Sequence, residues 1–239
     1  MPIDLDRVNY LLFDLDGTLL PMNMDVFVEA YIKRLTVRAA AYLPPESFPK
    51  YLWAATGAMI ESGDPEAQNH EVFWAHFSRF ARHPREVLEP VFEEFYLNEF
   101  TALIDVTQPS PVAREIVNLA VGRGKQVVLA TNPIFPGIAV RERMRWADIH
   151  DLPWLHVTTY ENSRYCKPNP AYYRDLLQQL AIPPGECLMI GNDVQEDLVA
   201  SELGIATCLI TDCLLDRGAP AYEPDWRGGL AELRDWLRG

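Results

Sequence analysis

Two aspartates two residues apart, Asp14 and Asp16, close the apolar run Tyr10–Phe13 and are followed at once by Gly17 and Thr18. On an extended strand, side chains at i and i+2 share a face, so both carboxyls can reach one substrate. Paired carboxyls of this kind serve as nucleophile, as acid and base, or as metal ligands. More chemistry-bearing residues follow other apolar runs. Thr131 and Asn132 come directly after Gln126–Ala130, and Asp193 and Asp197 follow Cys187–Ile190. Lys167 stands in RYCKPNPAYY, immediately before a helical pattern.

These residues can meet only if the runs are strands of one sheet. Val8–Phe13, Gln126–Ala130, Leu155–Thr159, Cys187–Ile190 and Ala206–Ile210 read as strands bounded by turn residues. Between them lie amphipathic stretches, Pro111–Val121, Pro136–Trp146, Pro170–Leu180 and Val194–Leu203. Pro111 and Pro136 suit helix starts, and Gly122 and Gly204 suit helix ends. This alternation predicts right-handed crossovers and an α/β core whose parallel sheet is covered on both faces. Ligands of such sheets bind beyond the carboxyl ends of the strands. Four carboxylates, one hydroxyl and one ammonium would therefore gather at one sheet edge. Clustered carboxylates repel one another unless a hard cation sits among them, and an all-oxygen set suits Mg²⁺. No histidine or cysteine lies at these strand ends, which argues against zinc.

From Met24 to about Thr101 the pattern changes to helical and aromatic. Phe73, Phe77 and Phe80 form one stripe before Pro84, and Phe92, Phe95, Tyr96 and Phe100 form another. The predicted architecture is thus an α/β core interrupted by a helical insertion after its first strand. Trp53, Trp74 and Phe77 read as helix-bundle core. The alternative is that one or two of them, or Met22 and Asn23, line a substrate pocket.

Composition narrows the function. In 239 residues, 49% are hydrophobic and 23% charged, the balance of an ordinary globular protein. The apolar runs fall far short of the roughly 20 residues that span a membrane. The acidic start Met1-Pro-Ile-Asp lacks a signal-peptide pattern, so a cytoplasmic location is expected. The net charge of −13 repels a nucleic-acid backbone. An anionic small substrate would need a local cation. Cys166, Cys187, Cys208 and Cys213 occur singly, without C-x-x-C spacing, and read as reduced, mostly buried thiols.

The ordered set Asp14-x-Asp16-Gly17-Thr18, then Thr131, then Lys167, then Gly191-Asn192-Asp193-x-x-x-Asp197 resembles the four motifs of the haloacid dehalogenase-like hydrolase superfamily. The likeness covers Asn9–Leu20 and Asp105–Asp212. The resemblance implies a Rossmann-like, doubly wound core over residues 1–20 and 104–239, with an all-helical C1-type cap over 21–103. It implies that Asp14 is the nucleophile, forming an aspartyl-phosphate, and that Asp16 protonates the leaving alcohol and then activates water. Thr131 would hydrogen-bond a phosphoryl oxygen, Lys167 would neutralise charge, and the backbone N–H groups of Leu15 and Asn132 would complete the phosphate cradle. Mg²⁺ would be held by Asp14, Asp193 and the carbonyl of Asp16, with Asp197 supporting it directly or through water. One departure is Asn192, which separates Gly191 from Asp193. Asp193 is aligned with the metal ligand on its four-residue step to Asp197.

The expected activity is Mg²⁺-dependent hydrolysis of a small phosphorylated metabolite, with no nucleic-acid or membrane partner. A phosphomutase would use the same intermediate. A haloacid dehalogenase would need neither Mg²⁺ nor a second aspartate, and a non-catalytic interaction module would need none of these residues. Substrate identity and oligomeric state are not legible at this level.

Overall fold

The computed structural model describes residues 3–239. Among them, six parallel strands form one sheet in the order β3-β2-β1-β4-β5-β6. The strands are β1 (Tyr10–Phe13), β2 (Gln126–Leu129), β3 (Trp154–Val157), β4 (Cys187–Gly191), β5 (Ala206–Ile210) and β6 (Trp226–Gly228). β1 lies in the interior and is apolar throughout because both of its faces are covered. Leu11 and Phe13 enter the core on one side, with Ala113, Ile116 and Val117 of α5 (Pro111–Gly122) and Leu233 of α8 (Leu230–Arg238). Leu12 points to the other side, among Tyr172, Tyr173 and Leu176 of α7 (Pro170–Leu180). Packing on both faces fixes the register and so fixes where the strand ends.

Before α5, the chain between β1 and β2 forms α1 (Met24–Ala39), α2 (Phe48–Ile60), α3 (Asn69–Ala81) and α4 (Arg85–Asn98). Asn23 caps α1 by accepting from the Val26 amide at 3.1 Å, and the Glu71 carboxylate accepts from the Gln68 amide at the start of α3 at 2.8 Å. Phe48, Phe73, Trp74, Phe77 and Phe92 make the aromatic core of this insertion. Trp53 does not join it. Its side chain is 54% exposed, so its assignment to the bundle core is corrected. Phe80, at the end of the α3 stripe, is likewise 37% exposed and stacks on Tyr51. The segments leaving and returning to the sheet run side by side, joined by a bridge between Met22 and Thr107 and by Gln108 N–H donating to the Pro21 carbonyl at 2.8 Å.

Three expectations need revision. Leu155–Thr159 begins one residue earlier and ends two earlier, as Trp154–Val157. The short β6 and α8 were not anticipated. Val194–Leu203 is not an α-helix: turns are followed by a 3₁₀ segment over Leu198–Leu203. The cause is local. Asp193 Oδ1 accepts from the amides of Gln195 and Glu196 at 3.0 and 2.9 Å, and Asp197 Oδ2 accepts from the Asp193 amide at 2.9 Å. Side-chain acceptors that capture nearby amides compete with helix hydrogen bonds.

Because Leu12 is fully buried at the centre of the sheet, Leu12→Ala is expected to destabilise the protein by about 2–5 kcal/mol. Urea unfolding followed by tryptophan fluorescence measures the loss.

Candidate active site

Phe13 lies in register with Leu129 on one side and Ile190 on the other. Beyond it, the Asp14 amide still donates to Ile190 O at 2.9 Å, and the Ala130 amide donates to Phe13 O at 2.7 Å. β1, β2 and β4 therefore end level, at the switch point of the strand order. A cavity of about 210 Å³ opens there, with Asp14, Asp16, Thr131, Asn132, Asp193, Glu196 and Asp197 on its walls.

Lys167 joins the strand ends from beneath. Its side chain is fully buried, and Nζ donates to Asp14 Oδ1 at 3.0 Å and to Asp197 Oδ1 at 2.6 Å. Asn132 fixes the main chain of Lys167, accepting from its amide at 3.2 Å and donating to its carbonyl at 3.3 Å. Thr18 Oγ1 lies 3.2 Å from Asp14 Oδ2 and 2.9 Å from Asn192 Oδ1. Asp14 is thus held through both oxygens. Burial raises its pKa, Lys167 opposes that rise, and Asp16 reinforces it. Burial pushes Asp197 up to about 7, against Lys167 and with help from Asp14. For Lys167, burial alone would lower the pKa, but Asp14 and Asp197 outweigh it and keep the ammonium protonated.

Asp193 is gripped by Arg217, whose Nη1 lies 2.7 Å from each carboxylate oxygen. Glu196, beside it, is pushed up to about 7 by burial and then by repulsion from Asp193. Asp16 pairs with Arg143 of α6 (Gly137–Trp146). Arg143 is wholly buried, stacks 4.3 Å over the Phe135 ring and donates through Nε to Ala139 O at 3.3 Å. Asp16 Oδ1 and Arg143 Nη2 are buried without a hydrogen-bond partner.

The Thr131 carbonyl is anchored by Thr158 Oγ1 at 2.7 Å and by the Tyr172 hydroxyl at 3.0 Å. Leu15 is buried between the two aspartates, where its amide favours the ionised form of Asp14. Met22 is buried at the edge of an adjoining shallow groove, and Asn23 serves as a helix cap. Close packing is tightest at two glycines. Gly17 adopts φ +86°, and a Cβ on it would overlap the Asn192 amide. A Cβ on Gly191 would overlap the Asp197 carboxylate.

Arg143, Arg217 and Glu196 escaped the sequence reading. Arg143 had left a signal: it lies four residues after Ala139 and three after Val140, on the buried face of α6. Arg217 sits in a loop with no periodicity to mark it.

The site contains five carboxyls, Asp14, Asp16, Asp193, Glu196 and Asp197, against three cations, Lys167, Arg143 and Arg217. Every donor among these carboxyls is an oxygen, which suits a hard divalent cation. In this arrangement the cations sit on the carboxylates, and among the described residues no three acidic, histidine or cysteine side chains are grouped as ligands of one metal ion.

A parallel α/β sheet carrying a buried aspartate–lysine centre at its carboxyl edge defines a hydrolase-type site. The model of the haloacid dehalogenase-like hydrolases matches residues 8–202, and the chain belongs to that family. Among solved structures, a haloacid dehalogenase-type phosphatase from Thermococcus onnurineus is similar over 97% of this chain and 99% of its own, with 20% identity and a TM-score of 0.62. A structure described as a predicted phosphoglycolate phosphatase from Haemophilus somnus has 16% identity, covers 96% and 98% of the two chains, and gives a TM-score of 0.59. The L-2-haloacid dehalogenase from Xanthobacter autotrophicus has 16% identity, covers 97% and 99%, and gives 0.56. At such identities the likeness is one of fold. Comparison with curated proteins finds no match.

Gly191→Ala is expected to force Asp197 away from Lys167 and destabilise the protein by about 1–3 kcal/mol, read by urea unfolding. Arg143→Met, which leaves Asp16 without its partner, should cost about 3–5 kcal/mol. Adding Asp16→Asn should restore part of that loss, with a coupling of about 0.5–3 kcal/mol in a double-mutant cycle.

Proposed function

We propose that the chain is an Mg²⁺-dependent phosphomonoester hydrolase acting on a small metabolite through an aspartyl-phosphate on Asp14. The observation that carries this reading is that Asp16 opens onto the same cavity as Asp14, while Lys167 backs Asp14 from below. A nucleophile alone suffices for an alkyl halide. A phosphate ester benefits from a second carboxyl that can pass a proton.

In this scheme the ionised Asp14 attacks phosphorus in line, and the ester oxygen leaves with a proton from Asp16. Lys167 balances the charge on Asp14 and on the phosphoryl oxygens. Thr131, with the amides of Leu15 and Asn132, orients those oxygens. Asp16 then takes a proton from the water that cleaves the acyl phosphate, releasing phosphate and restoring Asp14. Arg143 occupies Asp16 Oδ2 and Oδ1 is buried, so Asp16 must turn toward the cavity to exchange a proton with the substrate. Asp14, Asp193 and the carbonyl of Asp16 would hold Mg²⁺, with Asp197 behind them, once Arg217 releases Asp193. Arg217 is 54% exposed in its side chain and has room to swing outward. When bound, the ion supplies positive charge that draws the phosphate dianion into an acidic site. The helical insertion, residues 21–103, acts as a cap that excludes bulk water from the core formed by 1–20 and 104–239.

One observation favours a second reading. Asp16 is engaged by Arg143, and hydrolytic dehalogenation on Asp14 would need no proton from it. The two readings separate cleanly in an assay of phosphate and halide release with and without a chelator. Phosphate release that EDTA abolishes and Mg²⁺ restores is expected. Asp14→Asn should lower kcat by roughly 10⁴-fold or more, and Asp16→Asn by roughly 10²–10⁴-fold. Halide release that is indifferent to EDTA would overturn the phosphatase reading.

A further inference from the structure

The cavity rises from the carboxylates into the helical insertion, and there its chemistry changes. Val28 and Ile32 of α1, Leu52 and Trp53 of α2, Phe73 of α3 and Phe92 of α4 form its walls. The insertion contributes few polar side-chain groups to this chamber: the Thr56 hydroxyl, the Trp53 indole N–H and the phenols of Tyr31 and Tyr96, which hydrogen-bond each other at 2.8 Å. Among the described residues lining it, every charged side chain comes from the sheet edge and none from the insertion. Trp53 is telling. An indole 54% exposed gains little from bundle packing, yet it borders this chamber.

We infer that the alcohol released by this enzyme is an uncharged aromatic one, so that the substrate is an aryl phosphomonoester. The inference rests on the phosphatase reading and specifies its substrate class. The reaction is aryl phosphate plus water giving a phenol and inorganic phosphate. The aryl O–P bond breaks as the Asp14 O–P bond forms, and water then replaces Asp14 at phosphorus.

Three observations converge on it. Sugar hydroxyls would lose their water against Val28, Ile32 and Phe92 with almost no partner in return. A second carboxylate, as in a phosphorylated hydroxy acid, would find no cation among the described residues that the insertion places on the chamber wall. Aromatic rings suit walls that offer both ring faces and ring edges, as Phe73 and Phe92 do at 6.4 Å with an interplanar angle of 62°.

The test compares 1-naphthyl phosphate with glycerol 1-phosphate and phosphoglycolate in the presence of Mg²⁺. KM is read beside kcat/KM, because a reactive leaving group raises kcat without any pocket. The expected result is a KM for the naphthyl ester lower by roughly 10-fold or more, in the range a hydrophobic pocket can discriminate. Trp53→Ala and Ile32→Asn should each narrow that gap at least threefold, mainly through KM of the naphthyl ester. Equal KM values, or a preference for either polar ester, would overturn the inference and leave the phosphatase reading standing. Failure to hydrolyse any of the three, with the protein folded, would remove both.

Discussion

The structure turns on one buried ammonium. Lys167, fully buried, reaches Asp14 and Asp197, and burying a lone cation or a lone carboxylate there would be prohibitively unfavourable. Together they are tolerated, and the arrangement is constrained on every side. Asn132 holds the lysine's main chain, Gly191 leaves room for Asp197, and the register of β1 with β4 sets the height of Asp14. The helices that cover the sheet keep this group in a low-dielectric setting, where its electrostatics are strong.

A second layer of charge surrounds that centre. Arg143 and Arg217 each hold one of the remaining aspartates, but they differ in kind. Arg143 is sealed beneath Phe135 and belongs to the permanent framework. Arg217 hangs from a loop with its side chain more than half in solvent, where an ion pair contributes less. The site thus combines a sealed ion pair, Arg143 with Asp16, and a half-exposed one, Arg217 with Asp193.

Much of this was legible in the sequence where chemistry and period coincide. Apolar runs ending in Asp14, Thr131 and Asp193 announce strand ends, because a buried strand has no other reason to finish in polar residues. The segment after Asp193 misled the helical reading because Asp193 and Asp197 bind nearby amides, a preference that apolar spacing does not register. Trp53 was misplaced because one turn of α2 offers both a packed and an open side, and residue type alone favoured the packed one. Arg143 pairs with Asp16 across 127 positions of chain, a distance no local pattern encodes. β6 was missed for a simpler cause: Trp226-Arg-Gly228 is too short to establish a period.

The docking of α3 has a consequence for how the insertion is attached. At its first turn the amides of Asn69 and His70 bind the carbonyls of Ser163 and Tyr160 at 2.8 and 2.9 Å, tying the insertion to the loop that follows β3. At the two ends of the insertion, Met22 and Thr107 tie the connecting segments together. The insertion is thus joined to the sheet domain at two separate places. The floor of the cavity and its roof are held to each other by main-chain hydrogen bonds that lie away from the carboxylates.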